Sequence, residues 1–281
     1  MTKEKSSYNG PRKQAEAENA LESWKPKTRL GKQIKEGRIT DLDEIFQKGE
    51  QILEAEIVDS ILPDLETDLL LIGQAKGKFG GGKRRIFRQT QKKTSEGNKL
   101  RFNTCALVGN KNGYLGVSFG RSKETVPARD KSIRQAKLNL IKIRRGCGSW
   151  ECNCGKPHSI PFAVEGKVGS AKIKLMPAPK GKGLCVEKEV AKILQMAGIK
   201  DIWSKTEGQT KTKINLIKAV IQALSQLSKT KVQSHHFSQL GINEGKIQPN
   251  KSVEEIEADI KEYLPQEKVI TDVKEIKKKE E

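Results

Sequence analysis

The segment LRFNTCALVGNKNGYLGVSFGR, residues 100–121, places two β-like runs on either side of a polar turn. The runs cover residues 100–108 and 113–121, and Gly109-Asn110-Lys111-Asn112 separates them, a composition typical of turns. Because so short a turn returns the chain beside itself, the segment predicts a β-hairpin. We expect this hairpin to form part of the sheet of a first domain.

Apolar spacing predicts the elements that pack on this hairpin. After it, Thr125 is a candidate helix cap and Pro127 suits a first turn, and an apolar stripe follows at spacings of three and four: Ile133, Ala136, Leu140 and Ile143. Before it, Asp41 is a candidate cap for a helical segment that stops at Pro63 and carries Leu42, Ile45, Phe46, Ile57 and Ile61. Residues 69–75 predict a buried strand, and residues 77–98 predict a loop.

A second unit is predicted after Gly146. Phe162, Val164 and then Ala171, Ile173 and Leu175 alternate with polar residues, which is typical of a hairpin with one buried face. A helical stripe closed by Gly198, a strand at residues 199–203 and a further helix over residues 214–228 follow. The order β-β-α-β-α indicates an α+β sandwich domain.

Charge is distributed unevenly along the 281 residues. The net charge is +19, and residues 77–145 alone hold 19 Lys and Arg against 3 Asp and Glu. Such a patch favours nucleic acid as a partner, because neutralised phosphates release counterions. A highly soluble surface and a basic patch at a membrane are the alternatives.

Composition excludes some classes of protein. The longest aliphatic run, residues 69–72, is too short to span a bilayer, and no apolar stretch follows the polar N-terminus as in a secretory signal. We therefore expect a cytoplasmic protein without membrane contact. Five cysteines, three of them within eight residues, fit a metal site or reduced thiols better than disulfides.

These patterns divide the chain into five segments. We expect a polar N-terminal arm (1–40), a first domain (41–145), a Cys/His-rich junction (146–160), a C-terminal α+β domain (161–231) and a charged C-terminal extension (232–281). Within the extension, residues 252–264 predict a short amphipathic helix suited to a protein partner, and residues 274–281 predict a solvated charge run.

The segment GKFGGGKRR, residues 77–85, consists almost entirely of glycines and cations. A backbone with few side chains can approach phosphates closely, and the cations supply charge. The spacing also meets the first part of a nucleotide-binding P-loop, but Arg84 stands where such a loop needs the hydroxyl of Ser or Thr. A P-loop hydrolase is therefore an unfavoured alternative, and we expect no enzyme. The candidate RNA-binding residues are Lys78, Gly80, Gly81, Gly82, Lys83, Arg84, Arg85, Arg88, Lys92, Lys93, Arg121, Lys123, Lys180 and Lys182.

A second constellation is Cys147, Cys152, Cys154 and His158, spaced Cys-x4-Cys-x-Cys-x3-His. Four such ligands can close a tetrahedral structural zinc site. The Cys-x-Cys gap is tighter than that of ordinary zinc fingers, so reduced thiols without metal remain the alternative. Cys105 and Cys185 lie apart and are expected to be small core residues.

Several motifs carry a resemblance to a known family. The residues RF (101–102) through VG (108–109), GYLGVSFGR (113–121) and 128–139 resemble the signature of the fifth universal small-subunit ribosomal protein family. PAPKGKGL (177–184) and AGI (197–199) look like landmarks of that family's second domain, and GCGSW (146–150) with PHSIPF (157–162) is similar to its archaeal branch.

The resemblance implies a fold and partners. The N-terminal domain would be double-stranded-RNA-binding-like, α-β-β-β-α with a three-stranded sheet, and neither domain would catalyse a reaction. The family binds small-subunit ribosomal RNA, neighbours universal proteins four and eight, and lines the path of the incoming messenger near protein three. A free double-stranded-RNA-binding regulator is the alternative function, although it would not need this second domain.

Overall fold

The computed structural model describes residues 23–74, 84–152 and 154–245. Residues 1–22 of the predicted arm, residues 77–83 of the glycine-rich loop and the predicted helix at 252–264 lie outside the described residues, as does the charge run at 274–281.

In its described residues, the first domain contains a five-stranded antiparallel sheet and four helices. Strand β3 is central: β4 lies on one side of it, followed by β5, while β1 and β2 share the other side. The helices are α1 (Arg29–Lys35), α2 (Leu42–Lys48), α3 (Ala55–Ile61) and α4 (Thr125–Leu138), and the strands are β1 (Glu66–Leu69), β2 (Arg88–Thr94), β3 (Gly97–Gly109), β4 (Tyr114–Ser122) and β5 (Leu140–Lys142).

The second domain has a four-stranded sheet in the order β7-β8-β10-β9 and two long helices. The predicted β-β-α-β-α order is present, and a two-residue strand, parallel to β10, is added to it. Its elements are β7 (Val164–Val168), β8 (Ala171–Pro177), β9 (Leu184–Cys185), α5 (Lys188–Met196), β10 (Ile202–Glu207) and α6 (Lys213–Lys229); β6 (Arg144–Arg145), α7 (Ser234–Gln239) and β11 (Asn243–Glu244) lie at the junction. The chain is thus α+β throughout.

The predicted hairpin is present as β3 and β4, with Phe102 opposite Ser122 and Gly109 opposite Leu115. Its two faces pack against different parts of the protein. Ala106 and Val108 pack on α4, whereas Cys105 and Leu107 join a core shared with the second domain, which includes Ile193 of α5. One continuous apolar core therefore links the two domains.

Glycines in β4 allow α4 to approach the sheet closely. A Cβ atom added to Gly116 would lie 2.1 Å from the carbonyl oxygen of Ala136, and one added to Gly120 would lie 2.2 Å from that of Ala128. The same Ala128 oxygen accepts a hydrogen bond from Thr104 Oγ1 at 2.9 Å. Helix and sheet are therefore in backbone contact at these two positions.

The first domain differs from the prediction in its strands. Residues 88–94 form a strand rather than a loop, and β1 ends at Leu69, where the predicted strand was to begin. The sheet therefore has five strands instead of three. Strand β2 was missed because it is polar, RQTQKKT, with four exposed and three intermediate residues, so it shows no apolar alternation.

Two helix predictions were also wrong in extent. The helical segment expected after Asp41 is divided into α2 and α3, since Gly49 adopts a left-handed φ of 68° that ends α2. Helix α4 ends at Leu138, so Leu140 lies in β5 and Ile143 follows it as a buried residue. Thr125 is the first helical residue, and Glu124 takes the capping position.

The predicted polar arm is partly core. Leu30, Ile34 and Ile39 are buried with residues of α2 and α3. Glu54 fixes the start of this segment, because its carboxylate accepts hydrogen bonds from the backbone N–H groups of Lys27 and Thr28 and from Trp24 Nε1 at 2.7–3.0 Å. This packing was not predicted because the segment has few apolar residues among many charged ones.

The predicted C-terminal extension also begins too early. Strand β11 pairs antiparallel with β6, and the Leu240 carbonyl accepts a hydrogen bond from Cys147 N at 2.8 Å. Residues 234–245 therefore close the junction between the domains.

We predict that Gly120→Ala destabilises the protein because the added methyl group meets the backbone of α4. The expected loss in the free energy of unfolding is about 1–3 kcal/mol, as for overpacked sites, and denaturant titration measures it. Gly146→Ala is the matched control, since its added Cβ would lie no closer than 3.1 Å to any atom. Equal losses in the two variants would contradict the packing argument.

Candidate nucleic-acid interface and metal centre

Two arginines lie at the end of the β3–β4 hairpin that is farther from its turn, here called the hairpin end. Arg88 of β2 and Arg121 of β4 both pair in register with Asn103 of β3, so the three residues lie side by side across three strands. Cross-strand partners point to the same face of a sheet. The Asn103 Oδ1 atom is buried and has no hydrogen-bond partner among the described residues.

Like charges lie opposite each other farther along this end. Lys92 of β2 is the register partner of Lys99 of β3, and both are exposed. Directly opposed like charges destabilise a strand pair, although Lys99 is offset by Glu96 at 2.6 Å. An arrangement that repels itself is consistent with a surface that binds a polyanion.

A cleft opens beside this row, between the end of β4 and the start of α4. It has a volume of about 590 Å³, and its lining residues are Arg101, Arg121, Ser122, Lys123, Glu124, Pro127 and Lys131. Four of the seven are cations and one is an acid. Two of the predicted RNA-binding residues, Arg121 and Lys123, therefore lie together on one concave basic surface.

The other predicted cations occupy different settings. Arg84 donates a hydrogen bond to the Lys211 carbonyl at 3.1 Å, and so contacts the second domain. Arg85, Lys92 and Lys93 are exposed. Lys180 and Lys182 lie on the second domain in the loop between β8 and β9 and are exposed. Lys78, Gly80, Gly81, Gly82 and Lys83 lie outside the described residues.

Two arginines, Arg144 and Arg145, join the domains. The Arg145 side chain is buried and donates to Asn112 Oδ1 at 2.9 Å and to the Gly245 carbonyl at 2.8 Å. Burial lowers the pKa of Arg145 to about 10. Arg144 donates to the Leu227 carbonyl at 3.0 Å and pairs with Glu244. Sequence reasoning missed both roles because their partners lie far along the chain.

The Cys/His-rich junction brings all four predicted ligands together. The sulfur atoms of Cys147, Cys152 and Cys154 and a ring nitrogen of His158 lie within 4.8 Å of one another. Cys152 Sγ is 3.8 Å from His158 Nε2. A tetrahedral zinc with ordinary bond lengths implies an S···N separation of about 3.6 Å, so the cluster is close to the size that zinc requires.

A buried carboxylate orients the histidine. His158 Nδ1 lies 2.9 Å from Asp201 Oδ2, which leaves Nε2 to face the cysteines. The other oxygen, Oδ1, accepts hydrogen bonds from the backbone N–H groups of Gly181 and Gly183 at 3.1 and 2.8 Å. Metal-bound histidines commonly have such a carboxylate partner. Asp201 therefore connects the cluster to the loop that carries Lys180 and Lys182.

The thiols differ in their environments. The backbone N–H of Lys180 and the Cys154 side chain stabilise the Cys152 thiolate and lower its pKa to about 6. Burial instead raises the pKa of Cys147 to about 11. Of the remaining cysteines, Cys105 is buried as expected, but Cys185 is exposed, so a core role holds only for Cys105.

The backbone around the cluster is tightly held. Gly146 and Ser159 exchange backbone hydrogen bonds at 2.9 and 3.0 Å. A Cβ atom on Gly148 would lie only 1.9 Å from the Pro161 carbonyl oxygen, so only glycine fits there. The Cys147 sulfur donates to the Cys152 carbonyl at 3.1 Å. The bridge between Gly146 and Ser159 thus holds the segments that carry Cys147 and His158 side by side.

These features define an α+β nucleic-acid-binding protein. Among the residues that the structure describes, no helix is long and apolar enough to cross a membrane.

Comparison with known proteins identifies the family. The family model "Ribosomal protein S5, N-terminal domain" matches residues 86–144, and "Ribosomal protein S5, C-terminal domain" matches residues 166–235. Small ribosomal subunit protein uS5 of Nanoarchaeum equitans is 50% identical over 227 residues, 81% of this chain and 97% of the relative. The same protein of Methanocaldococcus jannaschii is 46% identical over 228 residues, 81% of this chain and 98% of the relative. The chain belongs to the ribosomal protein S5 family, in its archaeal form.

We predict that Cys152 reacts faster than Cys147 in the metal-free cluster at pH 7. With a pKa of about 6 it is mainly thiolate at that pH, whereas Cys147, with a pKa of about 11, is protonated. Iodoacetamide should alkylate Cys152 faster than Cys147, and its rate should fall below pH 6; peptide mapping by mass spectrometry measures both. Faster labelling of Cys147 would contradict the assignment.

Proposed function

We propose that the chain is a structural constituent of the small ribosomal subunit that binds ribosomal RNA and is not an enzyme. Membership of the S5 family carries this conclusion, because the relatives are small-subunit ribosomal proteins and the chain covers 97% of the first of them. The cationic row Arg88–Asn103–Arg121 and the adjacent cleft supply the chemistry that RNA requires.

The charge arrangement supports contact with the RNA backbone. Arginine can form two parallel hydrogen bonds with one phosphate, whereas lysine acts as a point charge. Arg88 and Arg121 flank Asn103, Lys92 follows on the same face of β2, and Lys123 and Lys131 line the adjacent cleft. Phosphate binding there would also relieve the repulsion between Lys92 and Lys99.

Finer details rest on the family resemblance. We propose that the first domain corresponds to a double-stranded-RNA-binding-like fold with a widened sheet, and that the protein supports subunit assembly. Its proposed neighbours are universal small-subunit proteins four and eight, with protein three nearby on the path of the incoming messenger RNA. Within the small subunit, the protein acts in the cytoplasm.

A free double-stranded-RNA-binding regulator is the less favoured function. The two domains share one apolar core, so the second domain is not an independent addition to an RNA-binding module. Sucrose-gradient sedimentation separates the two functions. A ribosomal protein sediments with small subunits, whereas a regulator stays near the top of the gradient.

The proposed cofactor is one structural zinc ion at Cys147, Cys152, Cys154 and His158. Four protein ligands leave no open position for water or substrate, which is typical of structural zinc. The hydrogen bond between His158 and Asp201 supports this assignment. When bound, zinc would link the backbone segments that carry Cys147 and His158; it would not take part in a reaction.

We predict that removing four cations of the hairpin end flattens the salt dependence of RNA binding. Arg88, Lys92, Arg121 and Lys123, all changed to Ala, should lower the slope of log affinity against log salt by about three to four units, at roughly 0.9 per lost contact. Filter binding to protein-free small-subunit ribosomal RNA measures the slope.

The control for that variant removes two cations elsewhere. Arg38 and Lys48, on the side of the first domain formed by α1 and α2, are exposed and paired with Glu36 and Glu44. Their replacement by Ala should leave the slope nearly unchanged. If the slope of the fourfold variant equalled that of the unaltered protein, the RNA-binding surface would lie elsewhere.

We predict one zinc ion per chain in protein purified without chelators, measured by elemental analysis. Cys154→Ser should lose the zinc, while Cys185→Ser, which changes an exposed thiol outside the cluster, should retain it. Zinc should be released as the pH falls, since thiolate ligands take up protons. Protein that neither contains zinc nor binds it on addition would contradict the proposal.

A further inference from the structure

The indole ring of Trp150, between Cys147 and Cys152 of the Cys/His cluster, is almost fully exposed to solvent. Trp150 is 89% exposed, and the other large apolar side chains exposed in the described part of the chain are smaller: Leu53, Leu100 and Val126. Exposure of so large an apolar surface is unfavourable in water. A partner that covers the ring would remove this cost.

The backbone beneath Trp150 is rigid. Cys152 N donates to the Ser149 carbonyl at 3.2 Å, which places Trp150 in the middle of a four-residue turn. Both ends of that turn are anchored, because Ser149 is buried and Cys152 belongs to the cluster. Little conformational entropy is lost when a side chain on such a turn meets a ligand, so the turn presents the ring in a preorganised position.

The surroundings of the turn are cationic. Lys180 donates its backbone N–H to Cys152, and so its loop, which also carries Lys182, lies against the turn. Lys156 lies two residues after Cys154, and Lys200 donates its backbone N–H to the His158 carbonyl at 2.9 Å. All four lysines are exposed, and the acid beside the indole is Glu151, also exposed. The local charge therefore favours an anionic partner.

We propose that Trp150 is a stacking platform for an unpaired base of RNA, with Lys156, Lys180 and Lys182 next to the phosphates of the flanking nucleotides. The inference rests on the proposed RNA-binding function and adds a second contact surface, distinct from the hairpin end. A nucleobase fits both observations, because every base offers a π face to the indole and a phosphate to the lysines. An apolar groove on a protein would match the ring but leave the lysines without a counterpart.

The test compares Trp150→Phe, Trp150→Leu and Trp150→Ala in the full-length protein. Protein-free small-subunit ribosomal RNA from Nanoarchaeum equitans is the probe. Trp150→Ala should weaken binding roughly 5- to 150-fold, the range for one stacked base. Trp150→Phe should retain most of the affinity, because it keeps an aromatic face, and Trp150→Leu should behave like Trp150→Ala.

Salt dependence distinguishes stacking from charge. The three Trp150 variants should keep the slope of log affinity against log salt, since they lose no phosphate contact. Changing Lys156, Lys180 and Lys182 to Ala should lower it by about two to three units. Leu53→Ala is the control for removal of an exposed apolar side chain, because Leu53 is 63% exposed outside both surfaces, and it should bind as the unaltered protein does.

Two results would overturn the inference: unchanged affinity in Trp150→Ala, or a Trp150→Leu variant that binds as well as Trp150→Phe. If unchanged affinity were accompanied by poor incorporation of Trp150→Ala into subunits, the partner of the ring would be a protein. Failure of the unaltered protein to bind the RNA would instead contradict the proposed function. Circular dichroism confirms that each variant is folded.

Discussion

The β3–β4 hairpin is buried on both faces over the half of its length nearest the turn, and the rest of the molecule is arranged around it. Helix α4 covers one face, where Gly116 and Gly120 allow backbone contact. The second domain covers the other through the core that includes Cys105, Leu107 and Leu115. Because successive residues of a strand point to opposite faces, both partners are needed to bury residues 104–109.

Strand β3 therefore has a buried part, which packs, and an exposed part, which carries charge. Residues 97–101 of β3 are exposed, residues 102–103 are intermediate and residues 104–109 are buried. The buried half is held by apolar packing, while the exposed half carries Lys99 and Arg101. A charge at the exposed end does not disturb the core, so the hairpin can extend a cationic surface from a fixed base.

The sequence predicted the elements whose signal is local. The hairpin, the second domain and the four residues of the Cys/His cluster follow from short patterns of residues. Strand β2 was missed because it forms by pairing with β3, and its own residues are polar. The roles of Arg145 and Asp201 were missed for a related reason, since Gly245 lies 100 residues from Arg145 and His158 lies 43 residues from Asp201. No spacing rule connects residues so far apart.

The shared core also affects how the protein can bind RNA. The hairpin end belongs to the first domain and the Cys/His cluster lies at the junction, where Arg145 and the β6–β11 pair hold the two domains together. Two contact surfaces on one rigid body bind a folded RNA with little further loss of orientational freedom, because the first contact already positions the second. Two RNA-binding modules on a flexible linker would lose that freedom on binding. A rigid link between the two basic surfaces therefore suits a protein that stays in a ribonucleoprotein of fixed shape better than one that searches many RNAs.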